Sequence, residues 1–244
     1  MGGVIYGDVA LEGMKYTLAQ QMCTSLWLTR HIAVSRFSEQ RMWNMQPFFA
    51  QNPLDLGIRV TSFLIWRVME AGVDIRTFQR LRAGARREDK GSHVVLLCFI
   101  VIGLLLGILL ALKVPATAIT SAPEAFFWLG IVLMYAGVAL RFYAIKVLGR
   151  SFTTSVAVAP DQTVIETGPY RLVRHPSYSG FLIALLGLGL CLTSNWLSLL
   201  VIMGCALIGF IYRIQVEEHV LQEHLGQRYR EYMRHTKRLI PFVL

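Results

Sequence analysis

The stretch TGPYRLVRHPSYSG, residues 167–180, is a polar turn that lies between long apolar segments of the chain. It combines the basic residues Arg171, Arg174 and His175 with two tyrosines, and its Gly-Pro and His-Pro pairs each prevent a regular helix from running through. We therefore predict an ordered turn held against a membrane. Basic and aromatic side chains in such a turn suit an anionic or zwitterionic ligand. The alternative is a cytoplasmic loop whose arginines only orient the chain.

The composition of the 244-residue chain is that of a membrane protein with one domain. Hydrophobic residues make up 55% of the chain and charged residues 16%, and the mean hydropathy is +0.50. The net charge of +9 comes from cations beside apolar stretches, so we expect them to set orientation and expect no nucleic-acid partner. Cys23, Cys98, Cys191 and Cys205 are scattered, and their spacing predicts neither a metal site nor disulfides. Residues 1–20 lack a basic-then-apolar pattern, so we expect no cleaved signal peptide.

Four apolar stretches predict transmembrane helices in an all-α integral membrane protein. They are residues 94–114, 126–148, 180–193 and 195–212. Only Ser194 separates the last two stretches, so we predict a tight C-terminal helical hairpin, and any chemistry must lie at its other end. Residues 58–72 are shorter and carry Arg59, Arg67 and Glu70. This favours an interfacial helix, with a fifth, weaker span as the alternative.

The distribution of lysine and arginine predicts the orientation of these spans. One side of the membrane receives a basic run, the polar turn and the basic tail after residue 212, whereas the other receives essentially Lys113 alone. The run comprises Arg76, Arg80, Arg82, Arg86, Arg87 and Lys90. By the positive-inside rule the basic side is cytoplasmic, and we expect both termini and all candidate chemistry there. The cytosolic tail comprises residues 213–244, and its pattern from Tyr212 to His235 predicts an amphipathic helix with a break at Gly226.

Three charged residues, Arg213, Glu217 and Glu218, follow the last span directly. Arg213 and Glu217 are i,i+4 neighbours on one helix face, so they can form a surface ion pair that contributes a few tenths of a kcal/mol. Alternatively, Arg213 offers a planar fork to a substrate carboxylate while Glu217 accepts hydrogen bonds from a ligand. The position of both groups at a membrane exit, on the side of the His175 turn, favours the functional interpretation.

Four motifs together resemble the isoprenylcysteine carboxyl methyltransferase family. They are GRSFTT (149–154), TGPYRLVRHPSYSG (167–180), YRIQVEEHVL (212–221) and GQRYREYMRHTKRLIP (226–241). The resemblance runs from about Gly137 to the C-terminus, in order, spacing and topology. Phospholipid N-methyltransferases and sterol-reductase-like membrane enzymes carry similar C-terminal halves, so the pattern defines architecture more firmly than substrate.

The resemblance implies an integral-membrane enzyme that uses S-adenosylmethionine and needs no metal, with the cofactor in a cytosolic pocket that opens laterally to lipid. It implies that Arg213 orients the substrate carboxylate as the catalytic and substrate-binding residue, and that Glu217 is the acid that binds the cofactor. The remaining residues matched to cofactor binding are Gln162, Val164, Ile165, Tyr170, His175, Pro176, Ser177 and Tyr178. The implied partner is a lipophilic carboxylate that enters from the bilayer, among membrane lipids.

The chemistry of methyl transfer is consistent with these residues. A carboxylate is ionised at neutral pH and needs no base, so alignment and exclusion of water can supply much of the acceleration. An amine acceptor must lose a proton, and Glu218 is the only nearby candidate base, which makes lipid N-methylation the weaker alternative. An NADPH-dependent sterol-type reductase is the alternative of another class.

These expectations divide the chain into three parts. Residues 1–50 form an N-terminal extension of unassigned role, and residues 51–93 contain the interfacial helix or weak span and the basic cytosolic segment. Residues 94–244 form the membrane methyltransferase domain with the four spans and the tail.

Overall fold

The computed structural model describes residues 53–82, 86–87, 91–149, 157–158 and 163–240, all within one compact unit, Pro47–Leu244. Residues 1–50, predicted as an extension, lie outside this description. The elements are α1 Pro53–Arg82, β1 Arg86–Arg87, α2 Ser92–Lys113, α3 Pro123–Leu148, β2 Ala157–Val158, α4 Pro176–Thr193 and α5 Trp196–His235, with short 3₁₀ turns at Pro115–Thr117 and Gly168–Arg171. The two-residue strands pair antiparallel and join two interhelical connections.

Four of these helices, α2 to α5, are long and apolar enough to cross a membrane. This confirms the prediction of an all-α integral membrane protein. The third predicted span, 180–193, was too short, because α4 begins at Pro176, where a proline costs no hydrogen bond in the first helical turn. The polar turn therefore ends at His175.

The last helix, α5, continues well beyond the predicted end of its span at residue 212. Its 40 residues correspond to about 60 Å, twice the hydrocarbon thickness of a bilayer. The charged half after Tyr212 therefore lies outside the apolar layer. Gly226, at φ 58°, has non-helical geometry inside the helix, which confirms the predicted break.

The closest packing in the bundle is a glycine seam between α3 and α4. A Cβ atom at Gly137 would lie 2.5 Å from the carbonyl oxygen of Gly180, and one at Gly130 would lie 2.8 Å from that of Gly187. Because real Cβ contacts are longer, the two backbones touch only where side chains are absent. This seam holds the first turn of α4 against the end of α3.

At the opposite end of α4, a short connection confirms the predicted tight hairpin. Ser194 and Asn195, rather than Ser194 alone, separate α4 from α5. Asn195 is buried and caps α5 by accepting from the backbone N–H of Ser198 at 3.0 Å. Its amide also donates to the carbonyl of Val114 at 3.1 Å. Polar contacts thus tie the hairpin to the end of α2.

Helix α1 packs against the bundle along one stripe. Its buried positions are Ser62, Trp66, Glu70 and Val73, which recur every three or four residues. The segment 58–72 is therefore part of one continuous helix of 30 residues. It does not belong to the four helices that are long and apolar enough to span by composition.

Candidate active site

The first turn of α4 and the membrane exit of α5 share a chain of hydrogen bonds. The Tyr178 hydroxyl donates to Glu217 Oε2 at 2.6 Å and accepts from Arg213 Nε at 3.3 Å. The rings of His175 and Tyr178 stack, with centroids 5.4 Å apart. His175 Nδ1 lies 3.9 Å from Glu217 Oε2. Tyr178 thus links Arg213 and Glu217, the i,i+4 neighbours that the sequence places on one helix face.

Arg213 is buried rather than on a helix surface, since only 1% of it is exposed. Its Nη1 donates to Ser92 Oγ, at the start of α2, at 2.5 Å. Contacts from α2 and α4 therefore hold this guanidinium at the level where α5 leaves the membrane. The few tenths of a kcal/mol expected for an exposed Arg213–Glu217 ion pair therefore do not describe the contribution of this buried arginine.

Glu218 anchors the C-terminal tail to the polar turn. Oε1 accepts from Arg174 Nε at 2.8 Å, and Oε2 accepts from Arg238 Nη2 and Nε at 2.9 and 3.1 Å. His175 Nε2 lies 3.4 Å from Oε1. The backbone N–H of Arg174 also donates to the carbonyl of Lys237, so the tail runs beside the turn.

These contacts bear on Glu218 as the only nearby candidate base for an amine acceptor. Burial acts to raise its pKa, but hydrogen bonds from His175, Arg238 and Arg174 outweigh burial and lower the pKa to about 2. A carboxylate with so low a pKa is a poor proton acceptor at neutral pH. Its role in the structure is to hold the tail.

A second buried arginine, Arg141 on α3, lies beside the same turn. Its Nε and Nη2 each lie 2.8 Å from a carboxylate oxygen of Glu70 on α1. Its Nη1 donates to the Ser177 hydroxyl at 3.0 Å and to the Ser177 carbonyl at 3.2 Å. One guanidinium therefore joins α1, α3 and the first turn of α4.

A cavity of about 410 Å³ lies between these helices. Its apolar walls include Trp66, Leu96 and Ile100, and its polar lining includes Glu70, Arg141, Tyr178 and Arg213. Leu97 and Val101 also line it and are 45% and 52% exposed, so the cavity reaches the exposed surface of α2. The arrangement suits an amphiphile with an apolar body and an anionic head.

The structure brings together only part of the predicted site. His175, Tyr178, Glu217 and Arg213 form one cluster, as the resemblance implied. Pro176 and Ser177 are buried in the adjoining helical turn. Tyr170 is buried under the tail, where its carbonyl accepts from Tyr232, and burial and then the charge of Glu217 raise the pKa of its hydroxyl.

Three predicted residues precede the turn. Val164 and Ile165 are half-buried in the extended segment that leads to it. Gln162 lies outside the described residues. Among the residues described, no group of three or more His, Cys, Asp or Glu side chains could hold a metal ion.

Sequence reasoning missed Glu70, Arg141 and Ser92 as parts of the site. Glu70 and Arg141 did carry a signal, because an ionisable residue inside an apolar stretch marks a functional position by default. The sequence showed both residues but not that they pair across 71 positions. Ser92 carried no signal, since a serine at a helix start is ordinary.

Fold and site together define a polytopic helical membrane protein with a cavity that reaches the surface of α2 and ends in a cluster of charged and aromatic side chains. Residues 128–223 match the model of the isoprenylcysteine carboxyl methyltransferase (ICMT) family. This match covers α4, most of α3 and the part of α5 that carries Arg213, Glu217 and Glu218. The resemblance predicted from the four motifs is therefore confirmed over this segment.

Individual proteins agree with the family match. The chain is 35% identical over 116 residues to protein-S-isoprenylcysteine O-methyltransferase B of Arabidopsis thaliana, covering 47% of this chain and 58% of that protein. It is 36% identical over 117 residues to protein-S-isoprenylcysteine O-methyltransferase of Saccharomyces cerevisiae, covering 47% and 48%. The chain thus spans about half to three fifths of these relatives.

A solved structure of the eukaryotic intramembrane Ras methyltransferase ICMT (isoprenylcysteine carboxyl methyltransferase) is also similar. It has a TM-score of 0.46 and 26% sequence identity, and the superposition covers 59% of this chain and 51% of that chain.

Proposed function

We propose that the protein transfers a methyl group from S-adenosylmethionine to the carboxylate of a lipid-linked, isoprenylcysteine-like acceptor at the cytosolic face of the membrane. The observation that carries this proposal is the cavity, which reaches the exposed surface of α2, is apolar along its walls and is lined at its polar end by Arg213. The similarity to isoprenylcysteine O-methyltransferases gives the reaction class. A soluble acceptor would not need a cavity that reaches the lipid-facing surface of α2.

The polar end of the cavity favours an anionic head. Arg213 lines this end of the cavity, and the planar guanidinium group matches the geometry of a carboxylate. The ionised acceptor needs no base, so the task of Arg213 is to hold it in line for displacement. An amine acceptor is disfavoured because it would face this cation, and because Glu218 is held by its two arginine partners.

The cluster of His175, Tyr178 and Glu217 fits S-adenosylmethionine. Glu217 is partly exposed, and a carboxylate beside stacked aromatic rings favours a cationic ligand. When bound, the cofactor supplies a methyl group that its sulfonium has already activated. We assign Glu217 to binding the cofactor, His175 and Tyr178 to forming the wall beside it, and the buried Tyr170, Pro176 and Ser177 to shaping the turn. On the basis of the family resemblance, we also assign Gln162, Val164 and Ile165 to cofactor binding.

Ligand-dependent stabilisation separates this proposal from the reductase alternative. A ligand that binds only the native state stabilises it, by about 2.7 kcal/mol at a hundredfold excess over its Kd. We expect S-adenosylhomocysteine to raise the Tm of the detergent-solubilised protein, and NADPH to leave the Tm unchanged. Labelled cofactor with an S-farnesyl cysteine acceptor then tests transfer itself. Stabilisation by NADPH alone would replace the proposal with the reductase.

Glu217→Ala is expected to weaken binding of S-adenosylhomocysteine by one to two decades. The reason is the loss of a polar contact to a largely desolvated ligand, which costs about 1–3 kcal/mol. His175→Ala should act in the same direction, since it removes the ring stacked on Tyr178. The measurement is isothermal titration, with Glu223→Ala as the control because Glu223 is an exposed acid on the same helix. Unchanged affinity in Glu217→Ala and His175→Ala would remove these residues from the cofactor site.

The contacts of α1 support the alternative of a fifth span. Tyr135, near the middle of α3, donates to Ser62 at 3.4 Å, and Glu70 contacts Arg141 two turns later. Helices α1 and α3 therefore run in the same direction side by side. Residue 54 lies about 12 Å beyond Ser62, at 1.5 Å per residue, which reaches towards the opposite interface. We propose that α1 crosses the membrane, which places Leu54 on the non-cytoplasmic side and replaces the expectation that the N-terminus is cytoplasmic.

Cysteine labelling tests this topology. We expect Thr120→Cys and Leu54→Cys to react with an impermeant reagent from the non-cytoplasmic side, and His235→Cys to react from the cytoplasm. The lysine and arginine distribution sets the orientation, and the position of α1 along α3 sets the side of Leu54. Cytoplasmic labelling at Thr120 would overturn the orientation, whereas cytoplasmic labelling at Leu54 alone would return α1 to an interfacial helix.

A further inference from the structure

The Glu70–Arg141 pair is a buried ion pair at the polar end of the cavity. The two residues are only 6% and 7% exposed, and Nη2 of Arg141 donates to Glu70 at 2.8 Å. Nε also lies 2.8 Å from a Glu70 oxygen, although without the geometry of a hydrogen bond. The guanidinium also lies over the ring of Phe181, 5.1 Å from its centroid.

Stability alone does not account for such a pair. Removing two charges from water costs free energy that their mutual attraction seldom exceeds, and apolar residues of similar size are often as stable or more stable. Charged side chains within apolar helices are rare for the same reason. A role in the site is the better explanation, because both residues line the cavity.

Each end of the pair holds one wall of the cavity. At one end, Arg141 binds the hydroxyl and carbonyl of Ser177, the residue before Tyr178. At the other end, Glu70 lies one helical turn after Trp66, which is 4% exposed, lines the cavity and packs on Phe181 at 5.7 Å. The pair therefore sets the distance between the Trp66 wall and the Tyr178 end.

We propose that the Glu70–Arg141 pair is a positioning device for the acceptor, acting through Trp66. The pair fixes the axial position of α1 relative to α3. In this position Trp66 closes the apolar part of the cavity while the head of the acceptor lies at Arg213. Glu70 and Arg141 are positioning residues, and Trp66 determines specificity for the apolar body. This inference rests on the proposed function, whose acceptor it describes. Glu70 and Trp66 lie outside the segment that matches the family model, residues 128–223.

The test replaces the whole pair, since removal of one partner leaves a buried charge that can prevent folding. Glu70→Leu combined with Arg141→Met keeps the volume apolar. We expect this double variant to fold with a Tm below that of the wild type, because buried Ser177 loses its Arg141 donor. Its KM for N-acetyl-S-farnesylcysteine should rise about tenfold, and its affinity for S-adenosylhomocysteine should fall by less than the KM rises. An unchanged KM in the folded variant, or a loss of cofactor affinity as large as the rise in KM, overturns the inference.

A second variant tests the route through Trp66. Trp66→Phe should raise the acceptor KM by itself, and its effect should be non-additive with the double replacement, because both act on one wall. Additive effects would overturn the proposed route. Two outcomes distinguish failure of the proposed function from failure of this inference. If the wild-type protein binds the cofactor but methylates no carboxylate acceptor, both are wrong. If the wild-type protein is active and the double variant has an unchanged KM, only this inference is wrong.

Discussion

Replacing Arg213 by alanine is expected to remove most methyl transfer while leaving S-adenosylhomocysteine binding within a few-fold of the wild type. The side chain lines the polar end of the cavity, whereas Glu217, which we propose binds the cofactor, lies on the other side of the Tyr178 hydroxyl. If Arg213 holds the acceptor carboxylate as proposed, its loss lowers transfer without removing the proposed contacts to the cofactor. The measurement is transfer to an S-farnesyl cysteine acceptor together with cofactor titration.

Lysine at the same position separates charge from geometry. Arg213→Lys keeps the positive charge but cannot form the two-pronged contact with a carboxylate or keep both bonds to Ser92 and Tyr178. We therefore expect it to impair transfer as well, though less than alanine does. A lysine variant with wild-type turnover would show that only charge matters at this position.

Because Arg213 is buried, the activity measurements on its variants need a control for protein stability. Alanine leaves Ser92 without its donor, so a loss of about 1–3 kcal/mol in stability is expected in addition to the loss of activity. The Tm of each variant must therefore be measured, and assays must run well below it. Arg230→Ala, on the exposed face of the same helix, should change neither quantity. Full turnover in a folded Arg213→Ala protein would exclude a role in catalysis.

Gly137→Ala is expected to destabilise the bundle by about 3 kcal/mol, the upper end of the usual cost of overpacking. A Cβ atom there would lie 2.5 Å from the carbonyl oxygen of Gly180 and closer still to the amide of Ala184. Backbone atoms cannot move aside as a flexible side chain can. Separation of α3 from α4 would also shift Arg141 away from Ser177, so activity should fall along with the Tm.

Gly204→Ala provides the matched control on α5. A Cβ atom at Gly204 meets no heavy atom within 4 Å among the described residues. The higher helix propensity of alanine should then raise stability, by up to about 1 kcal/mol. Thermal unfolding of both variants in the same detergent gives the comparison. Equal Tm values for the two variants would show that the seam between α3 and α4 is not close-packed.

Much of the fold was accessible from sequence because its causes are local. A helix must be long and apolar enough to cross about 30 Å of hydrocarbon, and this requirement is visible in each segment separately. The Gly-Pro and His-Pro pairs mark the polar turn without reference to the rest of the chain. The start of α4 was misplaced by four residues, because serine and tyrosine after Pro176 read as polar turn when considered alone.

The sequence by itself determined the spans, the turn and the side of the membrane on which basic residues gather. Only the tertiary structure decided which charges meet. Glu218 was the only nearby candidate base in the sequence, and the structure shows that Arg174 and Arg238, 44 and 20 positions away, both bind it. In the sequence, Glu70 was a charge that argued against a membrane span, whereas the structure shows that it pairs with Arg141. Such pairings depend on the axial position of each helix relative to its neighbours. Contacts along the whole interface between the helices determine that position, so it cannot be read from one segment of sequence.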